Sequence, residues 1–182
     1  MIYKKNKLTI DSFDISSVTR KYKTPIYFYS LKKIKENINN LKNHFKKINP
    51  LICYAVKANS SLGILKEIKK SNLGADVVSG GELMKAIKAG INPKKIVFSG
   101  VGKISEELEY AINKNILLIN AESKSEILEI DRIAKKKRKI VDVGIRLNPN
   151  TDAKTLSQIS TGKKENKFGV DQKIFLKLVN LV

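Results

Sequence analysis

The sequence predicts an α/β fold of repeated β–α units, arranged either as an open doubly wound sheet or as part of a (β/α)8 barrel. Short apolar, β-branched runs recur from residue 51 onward and alternate with amphipathic stretches of helical period. The runs are nearly continuous in apolar residues, which is typical of parallel strands covered on both faces. Because a complete barrel needs about 250 residues, the 182 residues of this chain predict only part of one.

Five strands are predicted, with starts 20 to 24 residues apart. They are residues 51–56, 75–79, 95–99, 116–120 and 140–147. Leu, Ile and Ala recur at helical spacing in the segments between them, which predicts an amphipathic helix after each of the first four strands. Two strand-to-helix junctions fit capping boxes, Ser79 with Glu82 and Ser123 with Glu126. These two helices are therefore expected to begin just after the serines.

Further elements are predicted before and after these units. Residues 25–29 (PIYFY) predict a strand. A long amphipathic helix follows, marked by Leu31, Ile34, Ile38, Leu41 and Phe45. Residues 173–182 (KIFLKLVNLV) are apolar at helical spacing and lack a glycine cap or polar tail. That pattern favours an interrupted helix over a finished one.

The composition describes a soluble globular protein. Hydrophobic residues make up 42% and charged residues 29% of the chain, which excludes an intrinsically disordered protein. No apolar run approaches the roughly 18 residues of a spanning helix, and residues 1–14 lack the apolar core of a secretory signal. The single cysteine, Cys53, cannot build a disulfide framework. We therefore expect a cytoplasmic protein with no membrane partner.

The chain is strongly basic, with 36 Lys and Arg against 17 Asp and Glu and a net charge of +19. Such a charge attracts polyanions at low salt, so weak non-specific polyanion binding is one functional alternative. Only four of the cations are arginines, and no zinc spacing, aromatic strand motif or recognition helix is present. The densest basic run, residues 135–139, falls where a helix should end and suits the helix dipole. No specific nucleic-acid partner is expected.

Lys57 is the strongest candidate for chemistry. It lies in residues 54–59 (YAVKAN), at the carboxyl end of the first predicted parallel strand, where α/β sheets bind ligands. Shielding by Tyr54, Val56 and Ala58 would desolvate the amine and favour the neutral form that a Schiff base requires. The alternative interpretation is a surface lysine just past a strand, in a chain with many lysines.

Residues 54–59 resemble the cofactor-lysine motif of the fold-type III decarboxylases, a group related to alanine racemase. Further segments in the same order resemble the diaminopimelate decarboxylase branch of that family. They are residues 24–27 (TPIY), 74–83 (GADVVSGGEL), 96–103 (IVFSGVGK), 120–123 (NAES), 146–149 (RLNP), 160–162 (STG) and 166–170 (NKFGV). The resemblance covers nearly the whole chain from about residue 20, and the order of the motifs makes it specific.

The resemblance implies a partial (β/α)8 TIM barrel of the alanine racemase-like type, with about five of eight β–α units after an N-terminal strand and helix. Residues 1–30 would be an N-terminal segment that packs with a missing C-terminal β-domain, and residues 31–182 a truncated barrel domain that binds pyridoxal 5'-phosphate (PLP). Three barrel strands, a stacking histidine, a glycine-rich phosphate loop and a glutamate for the pyridine nitrogen would follow residue 182. At residues 155–158 (TLSQ) the chain departs from relatives that carry a histidine-proline pair after the threonine.

Four site residues carry over from the resemblance. Lys57 would be the catalytic residue and bind the cofactor as a Schiff base, while Asp76, Glu82 and Arg146 would line the cofactor pocket. Each of these three has a structural alternative: a hydrogen bond beside the strand end for Asp76, the capping box for Glu82, and a general positive charge at the barrel mouth for Arg146. The loop with Ser99, Gly100 and Gly102 is expected to shape the mouth through its backbone.

The implied activity is PLP-dependent decarboxylation of meso-diaminopimelate to L-lysine, expected to be absent from this chain alone because it is truncated. The implied partners are an amino-acid substrate, a second copy of the chain as in the family's homodimers, and a complementary C-terminal fragment. Two alternatives within the same fold are a non-catalytic PLP-binding protein and a decarboxylase of another basic amino acid, of the arginine or ornithine type.

Overall fold

The computed structural model describes residues 2–4, 6–151 and 168–180, which fall into two compact units. The first unit comprises Met1–Pro50 and the second Leu51–Val182. The long N-terminal helix belongs to the first unit, whereas the sequence places a domain boundary at residue 30. The packing of residues 1–30 with a further domain stays a prediction.

The first unit begins with a three-stranded antiparallel sheet that the sequence did not predict. Its strands are β1 (Ile2–Lys4), β2 (Lys7–Ile10) and β3 (Phe13–Asp14), in the order β1-β2-β3. The turns between them use Asn6, Asp11 and Ser12 at positive φ, a conformation that Asn and Asp tolerate better than most residues. Helix α1 (Ile15–Lys21) follows at once. It is capped by the Asp14 carboxylate, which accepts a hydrogen bond from Ser16 N at 3.0 Å.

The predicted long helix is present as α2 (Leu31–Phe45). Ser30 caps it by accepting from Lys33 N at 2.9 Å, and the Asp11 carboxylate accepts from Ser30 Oγ and Lys32 N. The predicted strand at residues 25–29 is wrong: this segment pairs with no strand in the described part of the chain, and Tyr27 is 87% exposed. A β-branched and aromatic run specifies a strand only where another strand accepts its hydrogen bonds.

The second unit contains the five predicted parallel strands, in the order β4-β5-β6-β7-β8 with β4 at one edge. The strands are β4 (Cys53–Ala55), β5 (Gly74–Val77), β6 (Ile96–Phe98), β7 (Leu118–Ala121) and β8 (Val143–Ile145). The helices are α3 (Leu62–Lys70), α4 (Gly80–Lys88), α5 (Ser105–Asn113), α6 (Lys124–Lys137) and α7 (Gln172–Val179). A parallel bridge between Leu147 and Val170 adds the start of another strand beyond β8, and α7 then confirms the helix predicted near residue 173.

Buried and partly exposed residues alternate along the three central strands, β5 to β7, because the helices cover only one face of the sheet in the described residues. Ala75, Val77 and Phe98 are fully buried, whereas their neighbours Asp76 and Val97 are half-exposed. Among the described residues, the expected cover on both faces is therefore found on one face only. The half-exposed face carries the polar side chains at the carboxyl ends of the strands.

The basic run at residues 135–139 is built into the surface of the second unit, as its predicted position at a helix end suggested. Lys135 pairs with Asp131 at 2.7 Å, and Lys137 pairs with Glu109. Lys139 Nζ donates to two carbonyl oxygens at the end of α5, each at 3.0 Å, as suits a cation near a helix C-terminus. Among the described residues, no helix is long and apolar enough to cross a membrane.

Candidate functional site

The carboxyl ends of the parallel strands bring most of the predicted site residues to one edge of the sheet. Lys57 lies two residues beyond β4, Asp76 lies in β5, and Arg146 directly follows β8. The strand register pairs Ala55 with Asp76. Lys57 and Asp76 therefore lie close to the same level along the two neighbouring strands. Because adjacent strands lie about 4.8 Å apart, the two side chains can serve one site.

Lys57 sits in a 3-10 turn, Val56–Ala58, that begins where β4 ends. Tyr54 Oη donates to the carbonyl oxygen of Asn59 at 3.2 Å and so spans the turn. Lys57 is exposed to solvent, so the expected shielding by its neighbours is not found. Within the part of the chain that the structure describes, its ammonium makes no hydrogen bond or ion pair and is open to a ligand.

Asp76 is part of a hydrogen-bond chain across three strands. Ser99 Oγ, just after β6, donates to Asp76 Oδ1 at 2.7 Å. Asn120 Nδ2, in β7, donates to Ser99 Oγ at 3.1 Å. Ser99 therefore contributes its side chain to the site, and not only the backbone role expected from the sequence. Asn120 belongs to the motif at residues 120–123, but the motif does not indicate a hydrogen bond to Ser99. This role could not be predicted, because it depends on contacts between residues more than 20 positions apart.

Cys53 lies lower on the same open face, in β4. Partial burial raises the pKa of its thiol, and the negative charge of Asp76 raises it further. A Cβ on the neighbouring Gly74 would lie 2.7 Å from Cys53 Sγ and 2.2 Å from the carbonyl oxygen of Lys95. Glycine at this position therefore lets β4 and the turn before β6 approach β5 closely.

The loop after β6 has the conformation that its glycines suggested. Gly100 and Gly102 have φ values of +91° and +74°, which favour glycine. A Cβ on Gly100 would lie 3.2 Å from Cβ of Val78, in the neighbouring strand-to-helix loop. The predicted backbone role of the two glycines therefore matches the geometry.

A buried lysine that the sequence did not single out anchors this loop. Lys103 Nζ bonds to Glu126 Oε1 at 2.6 Å and to the carbonyl oxygens of Gly100 and Asn120. Only 1% of the Lys103 side chain is exposed. The burial of Lys103 could not be predicted in a sequence with 36 Lys and Arg, because it arises from contacts with distant segments.

Glu82 lies in the first turn of α4, where the predicted capping box forms only in part: the serine cap is present, but the carboxylate bonds to the residue before the cap. Ser79 Oγ accepts from Glu82 N at 3.3 Å, and the Glu82 carboxylate accepts from Val78 N at 2.9 Å. Glu126 repeats this arrangement at the start of α6, where it accepts from Glu122 N at 3.0 Å. Because its carboxylate already holds the backbone, Glu82 supports the loop between β5 and α4.

Arg146 is paired with a buried carboxylate. Its Nη1 lies 2.9 Å from Glu122 Oε1, and 37% of the arginine but only 4% of the glutamate side chain is exposed. Glu122 Oε2 accepts from Gly169 N at 2.9 Å, and the Arg146 guanidinium stacks over the Phe168 ring at 5.0 Å. Glu122 thus joins the ends of β7 and β8 to residues 168–169, a function that sequence reasoning missed.

Some predicted features cannot be placed. The departure at residues 155–158, the motif at residues 160–162 and the first two residues of the motif at 166–170 lie outside the described residues. The rest of that last motif, Phe168 to Val170, contacts the end of β8 through Arg146.

A family model decides the membership of the chain. The model for the pyridoxal-dependent decarboxylase, pyridoxal binding domain, matches residues 31–181. The chain belongs to this family. The resemblance noted in its motifs is therefore confirmed, and the cofactor that the resemblance implied is the one in the family's description.

Individual relatives agree with this assignment. A diaminopimelate decarboxylase of Helicobacter pylori strain J99 is 50% identical over 166 residues, which are 91% of this chain and 41% of the relative. A diaminopimelate decarboxylase of Campylobacter jejuni is 46% identical over 165 residues, again 91% of this chain and 41% of the relative. The chain thus spans about two-fifths of the length of these curated relatives.

The fold is also that of a solved family member. The crystal structure of the Helicobacter pylori diaminopimelate decarboxylase complexed with L-lysine has a TM-score of 0.88 and 48% identity, and the match covers 92% of this chain and 43% of that one. The predicted fold, a partial (β/α)8 barrel of the decarboxylase type, is confirmed. The doubly wound alternative is excluded.

Proposed function

We propose that this chain is the PLP-binding part of a decarboxylase that converts meso-diaminopimelate to L-lysine, and that Lys57 attaches the cofactor covalently. The observation that carries the proposal is the position of Lys57. It is an exposed amine without a partner in the described residues, directly beyond an edge strand, at the end of the sheet where this fold binds ligands. Family membership supplies the cofactor, and the relatives at 46–50% identity support the substrate.

The side chains around Lys57 fit an aldehyde-bearing, planar cofactor. Attachment through an aldehyde requires an accessible primary amine, and Lys57 supplies one that no carboxylate neutralises in the described part of the chain. Asp76 offers a carboxylate on the neighbouring strand, and Gly100 and Gly102 keep side chains out of the loop beside it. An exposed amine with a carboxylate on the neighbouring strand is therefore the donor set that fits such a cofactor.

Each residue has a distinct task in this proposal. Lys57 would hold the cofactor through its amine, and the same amine, when not bonded to the cofactor, could carry a proton. Asp76 faces the site with a carboxylate held from behind by Ser99. Arg146, held by Glu122, places positive charge at the mouth, and Glu82 fixes the loop after β5. When bound, PLP supplies a pyridine ring that accepts the electron pair left behind when carbon dioxide departs.

The test is covalent capture of PLP. We would incubate the chain with PLP, record the absorbance band of the bound cofactor, reduce with borohydride and map the labelled peptide. Lys57→Ala and Lys57→Arg are expected to lose both the band and the label, whereas Lys66→Ala, which removes an exposed lysine from α3, should keep both. Lys57→Arg also preserves the net charge, so it separates attachment from general attraction of a polyanion.

The outcomes separate the alternatives. Label spread over many lysines, equally in wild type and Lys57→Arg, would refute the proposal and favour non-specific polyanion binding. Label confined to Lys57 supports it. Adding the remaining three-fifths of the Helicobacter pylori relative as a separate chain then tests catalysis, because decarboxylation should appear only in the mixture. Specific label without turnover in that mixture would favour the non-catalytic PLP-binding alternative.

The substrate and the assembly are tested in the same mixture. Release of carbon dioxide from meso-diaminopimelate in preference to arginine and ornithine would support the proposed substrate, and the reverse preference would favour a decarboxylase of another basic amino acid. A homodimer and a complementary C-terminal chain are both part of the proposal. Sedimentation of the chain alone and of the mixture would show whether either assembly forms.

A further inference from the structure

The hydrogen-bond chain that ends at Asp76 has a fixed direction. A neutral amide nitrogen only donates, so Asn120 Nδ2 donates to Ser99 Oγ. The serine hydroxyl has one hydrogen, and an ionised carboxylate only accepts, so Ser99 Oγ donates to Asp76 Oδ1. Each residue therefore sets the orientation of the next one, from β7 to β5.

The second oxygen of Asp76 is left available. Among the described residues, Oδ2 of Asp76 accepts no hydrogen bond. In that part of the chain every fully buried side-chain oxygen has a hydrogen-bond partner, so an oxygen without a partner is not fully buried. Oδ2 is therefore accessible from the open face of the sheet. One oxygen of the carboxylate is anchored and the other is presented.

The space for this chain depends on a glycine. The register pairs Asn120 with Gly144 on β8. A Cβ on Gly144 would lie 2.3 Å from Asn120 Oδ1, closer than any real contact allows. A side chain at residue 144 would therefore push the Asn120 amide away from Ser99.

We propose that Ser99 and Asn120 are positioning residues that orient Asp76, so that its Oδ2 accepts a hydrogen bond from the nitrogen that joins Lys57 to the cofactor. This inference rests on the proposed function. It follows from the anchored Oδ1, the available Oδ2 and the register that places Asp76 beside the strand leading to Lys57. Gly144 is a further positioning element, because it leaves room for Asn120.

A purely structural role makes a different prediction. If these hydrogen bonds only joined β5 to β7, breaking them would lower the melting temperature and leave the titration of the bound cofactor unchanged. If it orients Asp76, its removal also changes the proton affinity of the Lys57–cofactor linkage. An opposite charge within about 4–6 Å favours the protonated form of such a group, commonly by 1–3 pH units.

The measurement is the pH midpoint at which the visible absorbance band of the PLP-loaded chain is lost. We expect Asp76→Asn to lower this midpoint by about 1 unit or more, and Ser99→Ala and Asn120→Ala to lower it by a smaller amount. Ser99→Thr retains the hydroxyl and should restore the wild-type midpoint. Gly144→Ala should behave like Asn120→Ala. Thermal unfolding of each variant measures the structural contribution separately.

The results bear on the two proposals separately. A wild-type chain that labels at Lys57, together with a folded Ser99→Ala variant whose midpoint equals that of wild type, would overturn the positioning role and leave the proposed function intact. A wild-type chain that fails to label at Lys57 would overturn both. If Ser99→Ala does not fold, Asn120→Ala applies the same test at the first donor of the hydrogen-bond chain.

Discussion

Lys103 Nζ lies 2.6 Å from Glu126 Oε1, and the two side chains are only 1% and 10% exposed. The ammonium also bonds to the carbonyl oxygens of Gly100 and Asn120, so it has three acceptors. The Glu126 carboxylate accepts a second hydrogen bond, from Glu122 N. This buried ion pair therefore holds the loop after β6 against the end of β7 and the first turn of α6.

Removing one member of the pair should destabilise the second unit strongly. We expect Lys103→Met to lower the free energy of unfolding by about 3–5 kcal/mol, because it leaves the Glu126 carboxylate buried without its counter-ion. Urea unfolding measures this. The double variant Lys103→Met, Glu126→Gln should lose less, since the buried charge is gone. A single variant within about 0.5 kcal/mol of wild type, as for an ordinary surface change, would contradict the interpretation.

Two glycines in the same unit should respond in opposite directions to alanine. Gly74→Ala places a Cβ 2.2 Å from the carbonyl oxygen of Lys95, and we expect it to cost about 1–3 kcal/mol as overpacking. Gly63, in α3, has its nearest neighbour at 3.7 Å, so Gly63→Ala should stabilise by roughly 0.5–1 kcal/mol through helix propensity. Urea unfolding of both variants tests this prediction. Equal changes in the free energy of unfolding for Gly74→Ala and Gly63→Ala would refute it.

The Glu129 carboxylate should contribute to stability only above acidic pH. Hydrogen bonds from Arg132, and then from Ser105, lower its pKa from 4.5 to about 2. The stabilisation is therefore fully present above pH 4.5 and is lost as the pH falls towards 2. We expect Glu129→Gln to lower the melting temperature at pH 6 and to have little effect near pH 2. Glu106→Gln, an exposed carboxylate of α5, is the matched control, and parallel pH profiles for both variants would contradict the pairing.

Cys53 provides a chemical probe of the open face. Burial, and then the charge of Asp76, raise the pKa of its thiol above the ordinary value of 9.0. Because the thiolate is the reactive form, alkylation by iodoacetamide should have a pH midpoint above 9.0. Asp76→Asn should lower that midpoint, whereas Asp142→Asn should not. Mass spectrometry of the Cys53 peptide gives the rates, and an unchanged midpoint in Asp76→Asn would show that the carboxylate does not face the thiol.

The repeated β–α units could be predicted because their signals are local. Each strand is a short apolar run, and the caps at Ser79 and Ser123 are set by residues three positions apart. The strand predicted at residues 25–29 failed for the opposite reason, since strand formation depends on a partner elsewhere in the chain. The N-terminal sheet was missed because its strands (IYK, KLTI and FD) mix apolar and polar residues and form no continuous apolar run.

The site could be predicted only at the level of strand ends and motifs. Lys57 and Asp76 follow from the rule that ligands bind at the carboxyl ends of parallel strands, combined with the family resemblance. Lys103 and Glu122 did not follow, because burial of a charged residue is decided by partners about 20 or more positions away. The exposure of Lys57 also differed from expectation, since β4 pairs with one strand only in the part of the chain that the structure describes.

The position of β4 at the edge of the sheet has a consequence for the reactivity of Lys57. Within the described residues, β4 pairs with β5 alone, and an edge strand presents free backbone groups to any strand that docks beside it. A docked strand would place its own residues against the turn at Val56–Ala58 and withdraw the amine from water. The reactivity of the Lys57 amine would then depend on a segment outside β4. With the edge of β4 unpaired, the lysine of the motif at residues 54–59 is solvated, whereas with a strand paired to that edge it would be a shielded nucleophile.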